Sequence, residues 1–157
     1  MKPLPPLLFA VLVMLSPAAV AEDEKGRQWR MEAAIGPVDE IEGRRMGAAM
    51  LSWVSDDRHP HELSIGYLQP RTGVEVFNTP RVVFVSAARR FTWKRWFWVN
   101  GVVLIDGQSE ALSSFYQFVN GIGWQHDRVT ISLRHMSNAN TRGRNRGENL
   151  LMVGWRF

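Results

Sequence analysis

Apolar and polar residues alternate with a period of two along several segments of the chain. The apolar members share one parity in each segment: Trp29, Met31, Ala33 and Ile35; Leu63, Ile65 and Tyr67; Val129, Ile131 and Leu133. Side chains two residues apart in a strand point to the same side of a sheet. The pattern therefore predicts β-strands that have one apolar face and one polar or small face.

Turn signals divide the chain into eight such segments of about ten residues each. The predicted strands are 26–36, 44–54, 61–69, 81–91, 95–105, 114–125, 128–138 and 148–157. Transmembrane barrels begin at eight strands, each of roughly 9–11 residues. The connections after the fourth and sixth strands are short, whereas those after the first, fifth and seventh are longer and polar. Short periplasmic turns and longer outer loops are typical of outer-membrane barrels.

The last predicted strand ends on an aromatic residue. Its apolar positions alternate up to the C-terminus: Leu151, Val153, Trp155 and Phe157. This resembles the C-terminal strand of bacterial outer-membrane proteins. The alternation alone also fits a soluble β-protein such as a lipocalin-like barrel, in which the apolar faces would form the core. Together the features favour an all-β fold, an eight-stranded antiparallel up-and-down transmembrane β-barrel whose apolar faces meet lipid.

The first 21 residues have the features of a secretory signal peptide. Lys2 supplies a positive start, residues 7–15 are an unbroken apolar run, and Ala19-Val20-Ala21 is an A-x-A cleavage signature. A run of nine apolar residues is too short for a spanning helix, which needs roughly 20. We therefore expect a signal peptide at 1–21 and an integral outer-membrane barrel at 22–157.

Composition adds little about charge but more about surroundings. Without the leader the formal charge falls from +4 to +3, because Lys2 is lost and no acid is, so no nucleic-acid partner is expected. The chain has no cysteine, which excludes disulfides and thiolate metal sites. All seven tryptophans follow the leader, and barrels use such residues as girdles at both membrane interfaces. Arg128 and Arg134 are expected inside the barrel, opposite Glu32 or Glu62.

The segment 132–140 contains the candidate chemistry. His135 and Ser137 are two apart in a predicted strand and share the face of Leu133. If that face meets lipid, the polar pair is costly unless it has partners or a function. A serine hydroxyl becomes a nucleophile when an imidazole accepts its proton, and the imidazole needs a third group that fixes its tautomer. On spacing alone, an interfacial histidine beside a strand-end hydroxyl is the favoured interpretation.

A family resemblance favours the catalytic interpretation. The pattern His135-x-Ser137-Asn138-Ala139, then Asn145-Arg146-Gly147-Glu148 and a last strand ending in Phe, resembles the PagL family of outer-membrane lipid A 3-O-deacylases. The match is sharp over about 23 residues at the C-terminus, and elsewhere it depends on size, leader and barrel pattern. The resemblance implies an eight-stranded barrel with a Ser-His-Glu triad on its outer face. It implies that Ser137 is the nucleophile and His135 the general base, with Glu148 as orienting acid and Asn138 near the oxyanion.

This chain departs from the family pattern at the acidic position. In the family the acid usually lies two positions after the loop glycine, and here that position is Asn149, whereas Glu148 directly follows Gly147. Counting back from Phe157, Asn149 has the outward parity. Glu148 is preferred because an imidazolium gains more from a charge than from a dipole. Asn149 stays the alternative orienting residue, and a weakened or inactive site is a third possibility.

The function implied is hydrolysis of the 3-O-linked acyl chain of lipid A, with no metal or organic cofactor. The expected partners are lipopolysaccharide as substrate and outer-membrane lipids, and a homodimer is left open. The loop arginines Arg142, Arg144 and Arg146 are candidates for contacts with lipid A phosphates, although a solvated basic loop explains them equally well. The alternative function is a non-catalytic barrel with a structural or surface-interaction role. A different lipid-modifying barrel, such as an acyltransferase or phospholipase, is the third.

Overall fold

The computed structural model describes residues 28–72, 78–143 and 145–157. Within them the chain forms eight strands: β1 (Trp29–Ile41), β2 (Arg44–Ser55), β3 (His61–Leu68), β4 (Val82–Trp93), β5 (Trp96–Ile105), β6 (Tyr116–His126), β7 (Val129–Ser137) and β8 (Glu148–Arg156). Each strand pairs antiparallel with the next, and β8 pairs with β1 to close a barrel. The predicted all-β, eight-stranded antiparallel barrel is confirmed. The predicted signal peptide at 1–21 lies outside the described residues.

The two faces of the wall have opposite chemistry. Apolar side chains such as Leu133 and Val153 point outward and are 53% and 50% exposed. Charged side chains such as Glu62 and Arg90 point inward and are completely buried. A soluble barrel would have the reverse arrangement, so this wall is built to face lipid. Within the described part of the chain, no helix has the length and apolar character that a membrane crossing requires.

A network of charged side chains fills part of the barrel interior. The Arg90 guanidinium lies between two carboxylates, with its Nη2 2.8 Å from Glu32 Oε1 and its Nε 2.6 Å from Glu62 Oε2. Arg134 Nη1 donates to Glu62 Oε1 at 2.5 Å, as the sequence predicted. Arg128 is different: it is exposed in the turn between β6 and β7. That prediction was wrong because β7 begins one residue later than expected, at Val129.

Strand β1 is longer than the sequence predicted, and the connection after it is a two-residue turn. Glu42 and Gly43 both have positive φ, 49° and 73°, as type I′ hairpin turns require. The sequence predicted that the first strand ends at residue 36 and that a loop follows from Pro37. Gly36 instead allows β8 to approach closely, since a Cβ there would lie 1.7 Å from the Leu151 carbonyl oxygen. The pairing with β2 shifts between Val38 and Ile41, which marks a β-bulge.

The tryptophans all lie near one end of the barrel. One end carries both chain ends of the barrel and the short turns at 94–95 and 127–128, and the other carries the connections 69–81, 106–115 and 138–147. Every tryptophan lies within two residues of a strand terminus at the first end: Trp29, Trp53, Trp93, Trp96, Trp98, Trp124 and Trp155. The tryptophans thus form one girdle at the periplasmic end. The expectation of tryptophan girdles at both interfaces was wrong.

Candidate active site

A row of polar residues crosses four strands on the lipid-facing wall. His135 of β7 pairs with Asn120 of β6 on one side and with Asn149 of β8 on the other. Leu150 pairs with Val38 of β1, so Asp39 lies beside Asn149. In β1, β7 and β8 the row lies within two residues of the loop-bearing end. Polar groups on such a wall are costly unless they pair, and three of the four are hydrogen-bonded to one another.

The Asn149 amide connects His135 to Asp39. Nδ1 of His135 lies 2.9 Å from Oδ1 of Asn149. Asn149 donates from Nδ2 to Asp39 Oδ2 at 3.0 Å, and from its main-chain N to Oδ1 at 3.2 Å. An ionised carboxylate only accepts hydrogen bonds, so the amide must turn its NH₂ to Asp39 and its oxygen to His135. The Nδ1 atom then carries the imidazole proton, and Nε2 keeps a free lone pair.

Gly147 lies against the imidazole ring. A Cβ at this position would be 2.6 Å from Cε1 and 2.8 Å from Nε2 of His135, closer than any side chain allows. Its φ of +75° is also one that residues with a side chain rarely adopt. Its main-chain N donates to the carbonyl oxygen of Ala111 at 2.8 Å. The residue before β8 therefore has to be glycine for the ring to occupy this place.

Ser137 follows on the same face of β7. It is half-buried, as His135 is, and pairs with Phe118 of β6. Among the described residues, its hydroxyl makes no hydrogen bond with His135. Catalytic hydrogen bonds are often long or poorly aligned until substrate binds. The structure places the two residues side by side on the lipid-facing wall, as the alternation predicted.

Glu148 lies on the other side of the wall. It pairs with Met136, is completely buried, and accepts hydrogen bonds from Arg71 Nη1 at 2.7 Å and Nη2 at 3.0 Å. The β7–β8 pairing is regular as far as Glu148, so alternation sends this side chain inward and Asn149 outward. Of the two orienting residues that the sequence offered, the structure brings Asn149 to His135 and takes Glu148 away from it.

Asn138 also points inward. Its side-chain Nδ2 donates to Ser113 Oγ at 3.0 Å, Ser114 Oγ at 3.1 Å and the Arg142 carbonyl oxygen at 2.9 Å. Its main-chain N donates to Asn145 Oδ1 at 3.3 Å. The side chain is completely buried, so it braces the loop from inside the barrel mouth. The side-chain amide is therefore engaged inside the barrel, and the main-chain N–H is the donor that directly follows Ser137 in the chain.

The loop arginines are divided between two environments. Arg142 is exposed, and its carbonyl oxygen accepts from Ser113 Oγ at 2.6 Å. Arg146 Nη2 lies 3.0 Å from Asp39 Oδ2, at the edge of the polar row. Arg144 lies outside the described residues. Arg142 and Arg146 are therefore at the loop-bearing end. Arg146 contacts Asp39, which accepts a hydrogen bond from the Asn149 amide next to His135.

Sequence reasoning missed two residues of the row. Asp39 lay in a segment predicted as a loop, so no face could be given to it. Asn120 lies at an outward position of β6, where the indole of Trp98 donates to its Oδ1 from Nε1. Its signal was present in the sequence: a polar residue between the outward Phe118 and Ile122. Within the described ranges, no group of three or more His, Asp or Glu side chains is placed to hold a metal ion.

These features define the class: a small transmembrane β-barrel with a polar site on its lipid-facing wall. A family model described as lipid A 3-O-deacylase (PagL) matches residues 43–157. The chain belongs to the PagL family, and it is an integral outer-membrane enzyme of the ester-hydrolase class. The resemblance predicted from the sequence is thereby confirmed.

A solved structure described as the crystal structure of the outer membrane enzyme PagL has the same fold. It aligns with a TM-score of 0.59 and 17% sequence identity, and the alignment covers 82% of this chain and 98% of that one. At this identity the likeness shows the fold alone. A search of curated proteins found no match.

Proposed function

We propose that this protein removes the 3-O-linked acyl chain from lipid A, with Ser137 as nucleophile and His135 as general base. The observation that carries the proposal is the hydrogen bond between His135 Nδ1 and Asn149 Oδ1 at 2.9 Å. It leaves Nε2 as the proton acceptor on the wall where Ser137 lies. A site that faces lipid suits a substrate that is itself a membrane lipid.

The reaction has two steps. His135 Nε2 takes the proton of Ser137 Oγ while Oγ attacks the ester carbonyl carbon. The main-chain N–H of Asn138 supports the oxyanion, and its long hydrogen bond to Asn145 is exchanged for one to the substrate. His135 then protonates the departing sugar oxygen as the ester C–O bond breaks. Water, deprotonated by His135, then attacks the acyl carbonyl carbon. His135 returns this proton to Ser137 Oγ as the acyl C–Oγ bond breaks, which releases the fatty acid and free Ser137.

Asn149 takes the orienting role in this scheme. Its amide oxygen accepts from His135 Nδ1 in the Michaelis complex and in the transition state, where the imidazolium forms. Glu148 contributes to the barrel interior instead. The site therefore operates with an amide where the family pattern places an acid.

The loop arginines are proposed to bind the phosphates of the substrate. Arg142 is exposed at the loop-bearing end, and Arg146 lies beside the polar row. Arg144 belongs to the same loop. Guanidinium groups pair with phosphate oxygens in bidentate geometry, which would hold the sugar next to Ser137 and leave the acyl chains along the apolar wall.

The test is the mass of lipid A after lipopolysaccharide is incubated with the purified protein in detergent. We expect loss of one 3-hydroxyacyl group, and no loss with Ser137→Ala. Ser86→Ala is the matched control, because Ser86 is half-buried in β4 across the barrel from the site. A heat-modifiable gel shift verifies that each variant is folded. Unchanged lipid A with folded wild-type protein would overturn the proposal and favour a non-catalytic barrel with a structural or surface-interaction role.

A further inference from the structure

We propose that Asp39 is a positioning residue for this reaction: its carboxylate fixes the Asn149 amide and thereby the tautomer of His135. The inference rests on the proposed function. Asp39 lies before the region that the family model matches, which begins at residue 43.

The contacts make Asp39 a clamp on Asn149. Both carboxylate oxygens are used: Oδ2 accepts from the side-chain amide at 3.0 Å and Oδ1 from the main-chain N at 3.2 Å. The second bond fixes the carboxylate relative to β8, so the first one sets the amide orientation. A hydrogen bond to a charged acceptor is about twice as strong as a neutral one.

Without this clamp the Asn149 amide has no preferred orientation. An amide turned by 180° would present its NH₂ group to His135, and Nδ1 would then have to accept a hydrogen bond. The imidazole proton would move to Nε2, the atom that has to accept the proton of Ser137. Such molecules could not start the reaction. Asp39 also places a negative charge behind Asn149, and this charge favours the imidazolium that forms in the transition state.

Local backbone geometry explains how Asp39 reaches this place. The β-bulge between Val38 and Ile41 follows the pairing of Val38 with Leu150. The Asp39 side chain faces Asn149 outside, while its carbonyl oxygen accepts from the interior Arg71 Nη2 at 2.7 Å. Bulges next to active sites commonly redirect a side chain in this way.

A purely structural role is the competing explanation, because Asp39 also contacts two arginines. Its Oδ2 lies 3.0 Å from Arg146 Nη2, and its Oδ1 lies 3.9 Å from Arg71 Nη2. A double-mutant cycle separates the two explanations. Asp39→Asn keeps the shape of the side chain but offers Asn149 both a donor and an acceptor. Asn149→Glu gives His135 a carboxylate directly, so the orientation of an amide no longer matters.

We expect Asp39→Asn alone to lower kcat by about tenfold to a hundredfold, comparable to the loss when a partner that orients a metal-bound histidine is removed. In the Asn149→Glu background the same change should cost nothing, or should raise kcat, because it removes a like charge. Rates are taken per folded molecule from the heat-modifiable gel shift. Asp106→Asn is the matched control: Asp106 also accepts a main-chain N–H, from Val83 at 2.6 Å, and also pairs with an arginine, Arg81 at 3.6 Å.

An equal loss in both backgrounds would show a structural role, and a kcat within twofold of wild type for Asp39→Asn would show none; either result overturns the inference. If the Asn149→Glu background has no turnover, ¹⁵N NMR of the His135 ring decides. The proton should be on Nδ1 in the parent chain and partly on Nε2 in Asp39→Asn, and an unchanged ring would overturn the inference. An active Ser137→Ala variant would instead overturn the proposed function itself.

Discussion

Separate substitutions of the neighbouring residues Glu148 and Asn149 should have different effects: one should lower kcat, and the other should lower the stability of the barrel. Asn149→Ala removes the acceptor 2.9 Å from His135 Nδ1. A neutral hydrogen bond contributes about 1 kcal/mol, and leaving a partner unsatisfied costs about 1–3 kcal/mol. If this energy is lost in the transition state, where the imidazolium forms, about 1–3 kcal/mol corresponds to a decrease in kcat of about fivefold to more than a hundredfold. The barrel itself should remain folded, because no interior contact is removed.

Glu148→Gln has the opposite expectation. Glu148 and Arg71 are both completely buried, with their nearest N and O atoms 2.7 Å apart. Removing one partner of a buried ion pair costs about 3–5 kcal/mol, because the other charge is left in a poorly solvated place. The cost should be at the lower end, since Asp39 Oδ1 remains 3.9 Å from Arg71. Folded molecules of this variant should keep nearly the wild-type kcat.

Two measurements on each variant are sufficient. The temperature at which the heat-modifiable band disappears reports barrel stability, and deacylation of lipopolysaccharide, followed by mass, reports kcat per folded molecule. A folded Glu148→Gln variant that loses as much kcat as Asn149→Ala would refute the assignment of the orienting role to Asn149. Wild-type kcat in Asn149→Ala would refute it as well.

Two further pairs of variants, each a test and its control, address other parts of the structure. Gly147→Ala should lower kcat at least about tenfold, because its Cβ would displace a His135 ring atom that is only 2.6 Å away, and misplacing a catalytic group by 1 Å costs about a hundredfold. Gly143→Ala is its control in the same assay. Its φ is +68° and a Cβ there would make only ordinary contacts, the nearest at 3.7 Å from Ser113 Oγ, so it should lose about 1–2 kcal/mol of stability but no kcat. Arg90→Met should lower barrel stability by about 3–5 kcal/mol in thermal gel-shift assays, since two buried glutamates lose their shared cation. Arg45→Met, at an exposed ion pair, should leave stability nearly unchanged, and an equal effect of the two arginine variants would contradict the role of the interior network.

Alternation predicted strands with one apolar and one polar face, and the strand count, the loop lengths and the terminal Phe157 favoured a membrane barrel over a soluble one. The same rule placed His135 and Ser137 outside, and it gave Asn149 the outward parity. The preference for Glu148 came from charge alone. In the structure the pairing of β7 with β8 is regular as far as residue 148, so the Glu148 carboxylate faces Arg71.

The contribution of β1 could not be predicted in this way. Gly36 and Pro37 are typical of turns, and only the close approach of Leu151 on β8 explains why the strand continues past them. That approach joins residues more than a hundred positions apart. Asp39 therefore had no predicted face and no predicted neighbour, although it lies next to Asn149.

The polar row crosses the junction of β8 with β1, which is the last pairing needed to close the barrel. Asp39 comes from the first strand and Asn149 from the last, so they meet only once the cylinder is complete. On the proposed scheme, an unassembled chain in the periplasm would contain His135 and Ser137 without the arrangement that activates them. Closure in the membrane would then license the enzyme, and hydrolysis would be confined to molecules that have finished inserting.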